Sequence, residues 1–483
     1  MKGAGAVLAL GVILPMALAG ALPGQDGNAA GREHVAEVWR PVRASTGIAP
    51  VIFTAAPVCE PGAALRGAER FPRGAQLMVL RAGKSEPLVP EFAASADASV
   101  SFDGKRVLFA GKKKAEDRWQ IWEVPAAGGA ARQLYAGQGD AIRPLWMPDG
   151  RVVFAERGAD GFGLVTAAVD GGRTARLSYL SGDFIPDDVL EDGRVLFESE
   201  FPLGSGSTPE MYAVYPDGSG VESVRCDHEA AEKAGGRAHG RQLHRDSKMA
   251  GDGDVVFAQR GNLARFTSAL AGGARIASPP GEFAGDVAEL PDGRWLLAMR
   301  RPEQKRYELA AWKPGTAAMA TIARDTDRDL VEPVVVAPRT APRTFPSALH
   351  PWTTGNLLAL DAQLSRNGNL RGTPVMVRVE ARESDGQART LGTAPVMADG
   401  SFFVKVPGDA ALRIILLDAA GHTLRQERGW FWMRSGEQRI CVGCHTGPER
   451  APDNRVPEAL LRLPGPEPVD LSGSGRAPAA GGH

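Results

Sequence analysis

The amino-acid sequence predicts a mainly β protein in which a six-bladed β-propeller precedes a smaller antiparallel β domain. Three observations lead to this prediction. A phrase that joins an Asp-Gly turn to an apolar run recurs along the chain, segments of alternating polarity follow the last copy, and turn residues are abundant. The 483 residues include 59 Gly and 36 Pro. This composition favours short strands joined by tight turns over a helical bundle.

The recurring phrase marks the predicted blades. It reads SFDGKRVLFA, MPDGRVVFAE, LEDGRVLFES, AGDGDVVFAQ and LPDGRWLLAM, and its glycines are Gly104, Gly150, Gly193, Gly253 and Gly293. The segment APVIFTAAP at 49–57 looks like an earlier copy without the Asp-Gly pair. Asp-Gly supplies a tight turn, and the β-branched and aromatic run after it suits a buried strand.

Further strands complete each repeat. The segment RWQIWEVPAAGGAARQLY at 118–135, for example, reads as a strand, a Gly-rich turn and a second strand. Repeats of several strands at a spacing of about 40 to 60 residues predict blades stacked around an axis. We therefore predict a TolB/WD40-like propeller over residues 45–345. A series of β-sandwiches is the alternative.

One interval between copies is long and rich in potential metal ligands. The stretch RCDHEAAEKAGGRAHGRQLHRDSK at 225–248 contains Cys226, His228, His239 and His244. It lacks a strand-like pattern, so we predict a loop inserted on one face of the propeller.

A second domain is predicted over residues 346–450, after the Pro-rich linker 336–346. The segments TPVMVRVEARES, GSFFVKVPG and LRIILLDAAG alternate with a period of two, which indicates an antiparallel β domain. Residues 451–483 are rich in Pro, Gly and Ala and are predicted to form a flexible tail.

The N-terminus predicts export. Lys2 precedes an apolar run of about 14 residues that ends in small residues, so we predict a signal peptide over residues 1–21, cleaved after Ala19 or Ala21. An uncleaved anchor is the alternative, although the run is shorter than a comfortable membrane span. No later stretch is long and apolar enough to cross a membrane. The expected location is therefore the periplasm or another extracytoplasmic space.

The charge balance limits the classes of partner. The formal net charge is -1, from 56 Lys and Arg against 57 Asp and Glu. No basic field is available to hold nucleic acid.

The most specific motif is Cys441-Val442-Gly443-Cys444-His445. Two thiols three positions apart can form thioethers with the two vinyl groups of a porphyrin, and the adjacent His can then bind the iron. Export makes this interpretation stronger, because c-type haem is assembled outside the cytosol. We predict one covalent haem c, with a disulfide or redox pair and a zinc knuckle as alternatives.

The second axial position of such an iron is left open by the sequence. Candidates are His350, His422 and Met433 in the second domain, together with His228, His239 and His244 in the predicted loop. Each of these residues also fits an ordinary structural role. Met433 lies in GWFWMRSGE, which suits either a hydrophobic wall for a porphyrin or the domain core.

The second half of the chain resembles the hydrazine synthase alpha subunit and its related proteins. The resemblance rests on the propeller repeats, FPSALHPWTTGNLLALDA, DGSFFVKVPGDAALRIILLDAAG and, most specifically, WFWMRSGEQRICVGCH. In that family, a propeller is followed by a middle domain with a c-type haem and by a further domain with a second haem. The resemblance therefore implies a haem-bearing middle domain here.

The chain departs from the family pattern in ways that make hydrazine synthesis unexpected. The family uses a Tyr four residues after the motif His as an iron ligand, and Glu449 stands there in this chain. Only one CxxCH motif is present and the chain ends soon after it, so the second-haem domain is expected to be missing.

The resemblance also implies a zinc ion beside the haem. In the family, the motif His is drawn toward a zinc that a propeller Cys and an Asp also hold. The matching residues here are His445, Cys226 and Asp97, and His228 is a further candidate. The alternative is that Cys59 and Cys226 form a disulfide or are inert thiols.

Two functional hypotheses follow from the sequence. The first is an exported, monohaem, cytochrome-like redox protein that transfers electrons to a partner protein or acts on a small molecule. The second is a propeller binding module in which the haem is structural.

Overall fold

The computed structural model describes residues 49–170, 172–203, 206–224, 236–243, 254–266, 273–365, 370–427, 429–444, 455–462 and 465–473. Within these ranges the protein is almost entirely β, with single turns of 3₁₀ helix at Ala64–Arg66 and Glu458–Leu460.

Twenty-four strands form the first part of the chain. In the first half of this region they are β1 (Val51–Ala56), β2 (Gln76–Arg81), β3 (Lys84–Pro87), β4 (Ala94–Val100), β5 (Arg106–Lys112), β6 (Gln120–Pro125), β7 (Arg132–Tyr135), β8 (Ala141–Trp146), β9 (Arg151–Gly158), β10 (Gly161–Ala168), β11 (Thr174–Arg176) and β12 (Phe184–Val189). The second half comprises β13 (Val195–Leu203), β14 (Gly206–Val214), β15 (Glu222–Ser223), β16 (Ala238–Leu243), β17 (Asp254–Gln259), β18 (Asn262–Phe266), β19 (Gly273–Arg275), β20 (Glu282–Glu289), β21 (Trp295–Arg300), β22 (Glu308–Trp312), β23 (Met319–Ala323) and β24 (Asp329–Val335).

These strands form six four-stranded antiparallel sheets, which confirms the predicted six-bladed propeller. Blade 1 has the order β24-β1-β2-β3, and blades 2 to 6 are β4–β7, β8–β11, β12–β15, β16–β19 and β20–β23. The last inner strand, β24, pairs with β1 and so closes the ring between the two ends of the propeller. Closure in this way leaves no inner edge strand unpaired at the seam.

The repeated Asp-Gly phrase forms the turn between the first and second strand of a blade. Gly104, Gly150, Gly193 and Gly293 all have φ between 73° and 88°, where a side chain would be strained. The same backbone hydrogen bond recurs in each turn, for example from Gly150 N to Met147 O at 3.2 Å. APVIFTAAP is the second strand of blade 1, as its likeness to the other copies predicts.

Nine strands form the second domain. They are β25 (Thr354–Ser365), β26 (Met376–Arg382), β27 (Ala388–Pro395), β28 (Phe402–Pro407), β29 (Ala410–Leu417), β30 (Thr423–Gln426), β31 (Phe431–Met433), β32 (Gln438–Cys444) and β33 (Val469–Asp470). One sheet has the order β32-β25-β28-β33, and the other has the order β27-β26-β29-β30 with β31 also paired to β29. The first sheet is mixed, because β32 runs parallel to β25 and β33 parallel to β28.

Two sequence expectations about connecting segments are wrong in part. The predicted loop 225–248 contains β16, the inner strand of blade 5, because a propeller blade needs an inner strand before its Asp-Gly turn. The predicted flexible tail contains β33 and a 3₁₀ turn, where Leu471 and Ala459 are buried. Burial of these apolar side chains outweighs the turn-rich composition around them.

The second domain packs on the propeller through one aromatic side chain. Trp432 on β31 is 1% exposed and belongs to a core cluster of blades 3 and 4 that includes Phe184 and Phe197. Its indole N–H donates to the carbonyl oxygen of Gly218, in the β14–β15 turn, at 2.8 Å. Glu437 accepts a further hydrogen bond from the amide of Gly220 at 3.1 Å. These contacts fix the domain that carries β32 against the propeller.

No helix among the described residues is long and apolar enough to span a membrane.

Candidate functional site

The propeller axis is lined by one buried ionisable residue from the inner strand of every blade. Each inner strand has a β-bulge where its pairing with the second strand shifts in register. A bulge turns a side chain out of the regular alternation, and here it directs the residue toward the axis. All are at most 8% exposed: Glu332 in blade 1, Asp97 in blade 2, Arg143 in blade 3, Asp187 in blade 4, His239 in blade 5 and Asp286 in blade 6. We call this set the axial ring.

The ring depends on backbone conformations that side chains rarely adopt. All members except Asp187 have a positive φ, from 52° at Asp286 to 61° at Asp97. Such conformations persist where surrounding contacts over-determine them, and they concentrate at functional sites.

Arg143 is the main cation of the axial ring. Its Nη2 lies 3.1 Å from Asp187 Oδ1 and 3.0 Å from Asp286 Oδ1, and its Nη1 lies 3.7 Å from Glu332 Oε1. Its backbone N–H donates to Asp97 Oδ2 at 3.0 Å. One guanidinium therefore joins four blades, and its planar set of donors suits several carboxylates at once.

Arg70 enters the ring from outside the six inner strands. It lies between the first and second strands of the chain and forms buried ion pairs with Asp97 and Glu332. Asp97 is the residue that the sequence proposes as a zinc ligand. Both of its carboxylate oxygens already accept hydrogen bonds, from Arg70 and from the amide of Arg143, so its surroundings suit an ion pair better than a metal.

A second group of ligand-type residues lies between blades 4 and 5. One ligand atom each from Asp187, Glu198 and His239 lies within 4.8 Å of the other two. Glu198, on β13, accepts a hydrogen bond from the backbone N–H of His239 at 2.9 Å, and Asp187 accepts one from the amide of Gly240 at 2.9 Å. The two carboxylates thus hold the β16 bulge in place.

The electrostatics of this group reflect its burial. Burial and the neighbouring Glu198 raise the pKa of Asp187 to about 8. Burial, reinforced by the charge on Asp286, raises the pKa of Glu198 to about 7. Burial lowers the pKa of His239. Two carboxylates and a neutral imidazole in one dry pocket form a set that either takes up protons or binds a cation.

The cysteine motif begins on β32, an edge strand of the second domain. Cys441 pairs with Ala359 of β25, is partly buried against the domain core and is a free thiol. Burial raises its pKa. The regular register ends after Gly443, where one step along β32 corresponds to four steps along β25, from Asp361 to Ser365. The chain can therefore turn at the second cysteine of the motif.

The other sequence candidates have different placements. Met433 is fully buried in the core of the second domain, which is the structural role that the sequence left open. His350 stacks on Trp352 and its Nε2 lies 3.0 Å from Gln438 Nε2, at the start of the strand that bears the motif. His422 lies on an exposed hairpin beside Asp418. Four of the remaining candidates lie outside the described residues: Cys226, His228, His244 and His445.

Sequence reasoning missed the axial ring, although a signal for it exists. Asp97, Arg143 and Asp286 each stand seven residues before the glycine of the Asp-Gly turn, and Asp187 stands six before it. Aligning the repeats on that glycine would have placed these residues at one level of the propeller. Glu198 leaves no such trace, because it lies on a second strand.

Comparison with known proteins confirms the resemblance that the sequence predicts. Residues 362–446 match the family model of the hydrazine synthase alpha subunit middle domain. The hydrazine synthase of Kuenenia stuttgartiensis has a similar structure, with a TM-score of 0.72 at 17% identity over 86% of this chain and 71% of that chain. TolB from Acinetobacter baumannii has a TM-score of 0.43 at 16% identity over 60% of this chain and 69% of that chain. No curated protein sequence is significantly similar to the chain.

Proposed function

We propose that the protein is an exported c-type, cytochrome-like redox protein in which Cys441, Cys444 and His445 hold one haem. The observation that carries this proposal is the match of residues 362–446 to the middle domain of the hydrazine synthase alpha subunit, because that range contains the complete CxxCH motif. The bound haem supplies a redox-active iron, either for electron transfer to a partner protein or for chemistry on a small molecule.

The donor set fits a covalent haem. Cys441 is a free thiol, and the register break after Gly443 lets the second thiol turn toward the same porphyrin. Each S–H adds across one vinyl group, so that a C–S bond forms without loss of electrons. Beside the motif, Ile440 is 65% exposed and offers apolar surface to a porphyrin edge.

The second domain provides a rigid platform for this motif. β32 is bound along its length to β25, and the same domain is fixed to the propeller through Trp432. A redox centre mounted in this way keeps a constant position relative to the propeller, which supports transfer of electrons over a fixed distance.

Export is part of the proposal. The charged and apolar N-terminal residues 1–21 have the pattern of a cleaved signal peptide. Attachment of c-type haem outside the cytosol requires such a signal, so the periplasm is the expected location.

Absorption spectroscopy of the exported protein tests the role of the iron. Expression with the periplasmic cytochrome c maturation system should give a protein with a reversible oxidised and reduced haem spectrum. A low-spin spectrum that is unchanged by CO or cyanide supports electron transfer, whereas a ligand-induced change supports small-molecule chemistry. A purified chain without haem would contradict the proposal and would leave the propeller as a binding module.

The zinc ion implied by the family resemblance remains a separate part of the proposal, with Cys226 and His445 as its ligands. Metal analysis of Cys226→Ser tests it: a loss of one zinc per chain supports this site, and an unchanged zinc content contradicts it. Asp97 is the ligand least suited to it, since both its oxygens are engaged by arginine groups.

A further inference from the structure

The axial ring contains more buried negative charge than its described cations neutralise. Five buried carboxylates line it: Asp97, Asp187, Glu198, Asp286 and Glu332. They face three guanidinium groups, those of Arg70, Arg143 and Arg241. With His239 neutral, the set has an excess of two negative charges. Buried charge of this kind is costly unless a cation pairs with it.

The excess is concentrated at Glu198. This carboxylate is 2% exposed, and within the described part of the chain no Lys or Arg side chain forms an ion pair with it. Its neighbour Asp187, which is fully buried, has one such partner, Arg143. The cations of the ring therefore cluster on the side of Asp286 and Glu332, away from Glu198.

A buried nitrogen points into the same place. The Nδ1 atom of His239 has no hydrogen-bond partner among the described residues, although its side chain is only 9% exposed. It lies 3.8 Å from Glu198 Oε1 and 4.0 Å from Asp286 Oδ2. An orphaned nitrogen of this kind requires an explanation, and an unrecorded ion is one of the usual ones.

The protein fixes these three side chains before any ion is bound. The backbone amides of His239 and Gly240 hold Glu198 and Asp187, and Arg143 holds the other oxygen of Asp187. Contacts of this type orient metal ligands and raise their affinity. Gly285 makes room for the imidazole, since an added Cβ at this position would lie 2.5 Å from His239 Cβ.

We propose that Asp187, Glu198 and His239 bind a divalent transition-metal ion, with Zn²⁺ as the best fit, between blades 4 and 5. One imidazole nitrogen and two carboxylate oxygens form a donor set that Zn²⁺ accepts, whereas Ca²⁺ and Mg²⁺ prefer oxygen alone. Ligands about 2.1 Å from Zn²⁺ lie roughly 3 to 4 Å from one another, so small side-chain rotations close this triad around an ion.

The ion has a route to the site. A cavity of about 800 Å³ at the Asp-Gly end of the axis is lined by Asp188, Arg241 and Gln242, the chain neighbours of the triad and of its bulge. The linker segment around Arg339 borders the same cavity. This site shares no ligand with the zinc site that involves Cys226 and His445.

Zinc titration of the full haem-bearing chain tests the proposal. After dialysis against a chelator, isothermal titration with ZnCl₂ should show one tight equivalent that remains in Cys226→Ser. His239→Asn should weaken this binding by more than about tenfold, because the imidazole ligand is lost. Asn is chosen because it tolerates the positive φ of this position. His422→Ala, which removes an exposed imidazole, should leave the binding unchanged.

A second variant and a spectroscopic probe make the test decisive. Glu198→Gln keeps the size of the side chain and an oxygen for the His239 amide, and it should weaken Zn²⁺ binding while the thermal unfolding profile stays cooperative. Co²⁺ bound in place of Zn²⁺ should give visible bands without the intense sulfur-to-metal band of a cysteine site. The proposal is overturned if the treated chain binds no Zn²⁺. It is also overturned if both folded variants bind Zn²⁺ as the wild type does, or if cobalt reports only sulfur ligands.

Discussion

At the residue scale, the structure turns on side chains that single bulges deliver to the propeller axis. Each blade contributes one ionisable group, and their charges differ from blade to blade although the backbone geometry repeats. The repeated turn and strand therefore build the scaffold, while one position per repeat carries the individual chemistry. This separation resembles the general use of rigid scaffolds to hold a few variable functional groups.

Arg143 should be the most sensitive residue of the ring. Arg143→Ala leaves Asp187, Asp286 and Glu332 facing one another without their shared cation. Removing one partner of a buried ion pair costs about 3–5 kcal/mol, so the free energy of unfolding should fall by that amount in urea denaturation. The matched control is Arg151→Ala in the same blade, whose exposed pair with Asp149 should contribute at most about 1 kcal/mol. Equal effects of the two substitutions would contradict the role assigned to Arg143.

Gly285 should be the most sensitive glycine of the same region. Its φ is 97°, and an added Cβ would lie 2.5 Å from His239 Cβ, so Gly285→Ala combines backbone strain with overpacking. Overpacking alone costs about 1–3 kcal/mol. Gly315→Ala is the control, because Gly315 has φ 82° but nothing within 4 Å of an added Cβ. Thermal unfolding should show a clearly larger loss of stability for Gly285→Ala, and similar melting temperatures for both variants would count against the packing argument.

At the scale of elements, β31 and β32 connect the two parts of the molecule. β31 places Trp432 in the propeller core, and β32 carries the cysteine motif a few residues later. The motif is thereby held at a fixed distance from the propeller by a short stretch of chain.

Trp432→Ala should loosen this connection. The substitution removes a fully buried indole and its hydrogen bond to Gly218, and loss of a buried Trp costs about 3–5 kcal/mol. Because the contact lies between domains, scanning calorimetry should show the single transition of the wild type divide into two.

Trp352→Ala is the control for this experiment, since Trp352 is 42% exposed and stacks only on His350 among the described aromatic rings. Its unfolding should remain a single transition. A single, unshifted transition for Trp432→Ala would show that the two domains are joined by other contacts.

The sequence predicts much of this architecture and less of the site. The Asp-Gly turns and the strands after them are visible because a turn needs Gly at positive φ and a buried strand needs an apolar run. β16 was missed because its sequence, AHGRQL, has polar residues that are buried by ionic contacts with other blades. β33 was missed because its pairing with β28 depends on residues some sixty positions earlier in the chain, which no local pattern reports.

The candidate site divides in the same way. Cys441 and Cys444 are recognised from a short motif whose chemistry requires adjacent residues. Asp187, Glu198 and His239 come from two strands of one blade and the inner strand of the next, so only the folded propeller brings them together.

At the scale of the whole molecule, the chain combines a closed propeller with a haem-type motif on a docked β domain. The closing pair β1–β24 and the axial ring make the propeller one cooperative unit, while the motif lies on an edge strand of the second domain. The central claim is therefore that the propeller serves as a rigid support for one covalent haem at Cys441 and Cys444.

Mass spectrometry of the exported protein tests this claim most directly. Trypsin cleaves after Arg439 and Arg450, so the peptide ICVGCHTGPER contains the entire motif. Expressed with the cytochrome c maturation system, the protein should yield this peptide with the mass of one haem added, and the paired Cys441→Ala and Cys444→Ala variant should yield it without that mass. Recovery of the wild-type peptide with two free thiols or an internal disulfide would contradict the account.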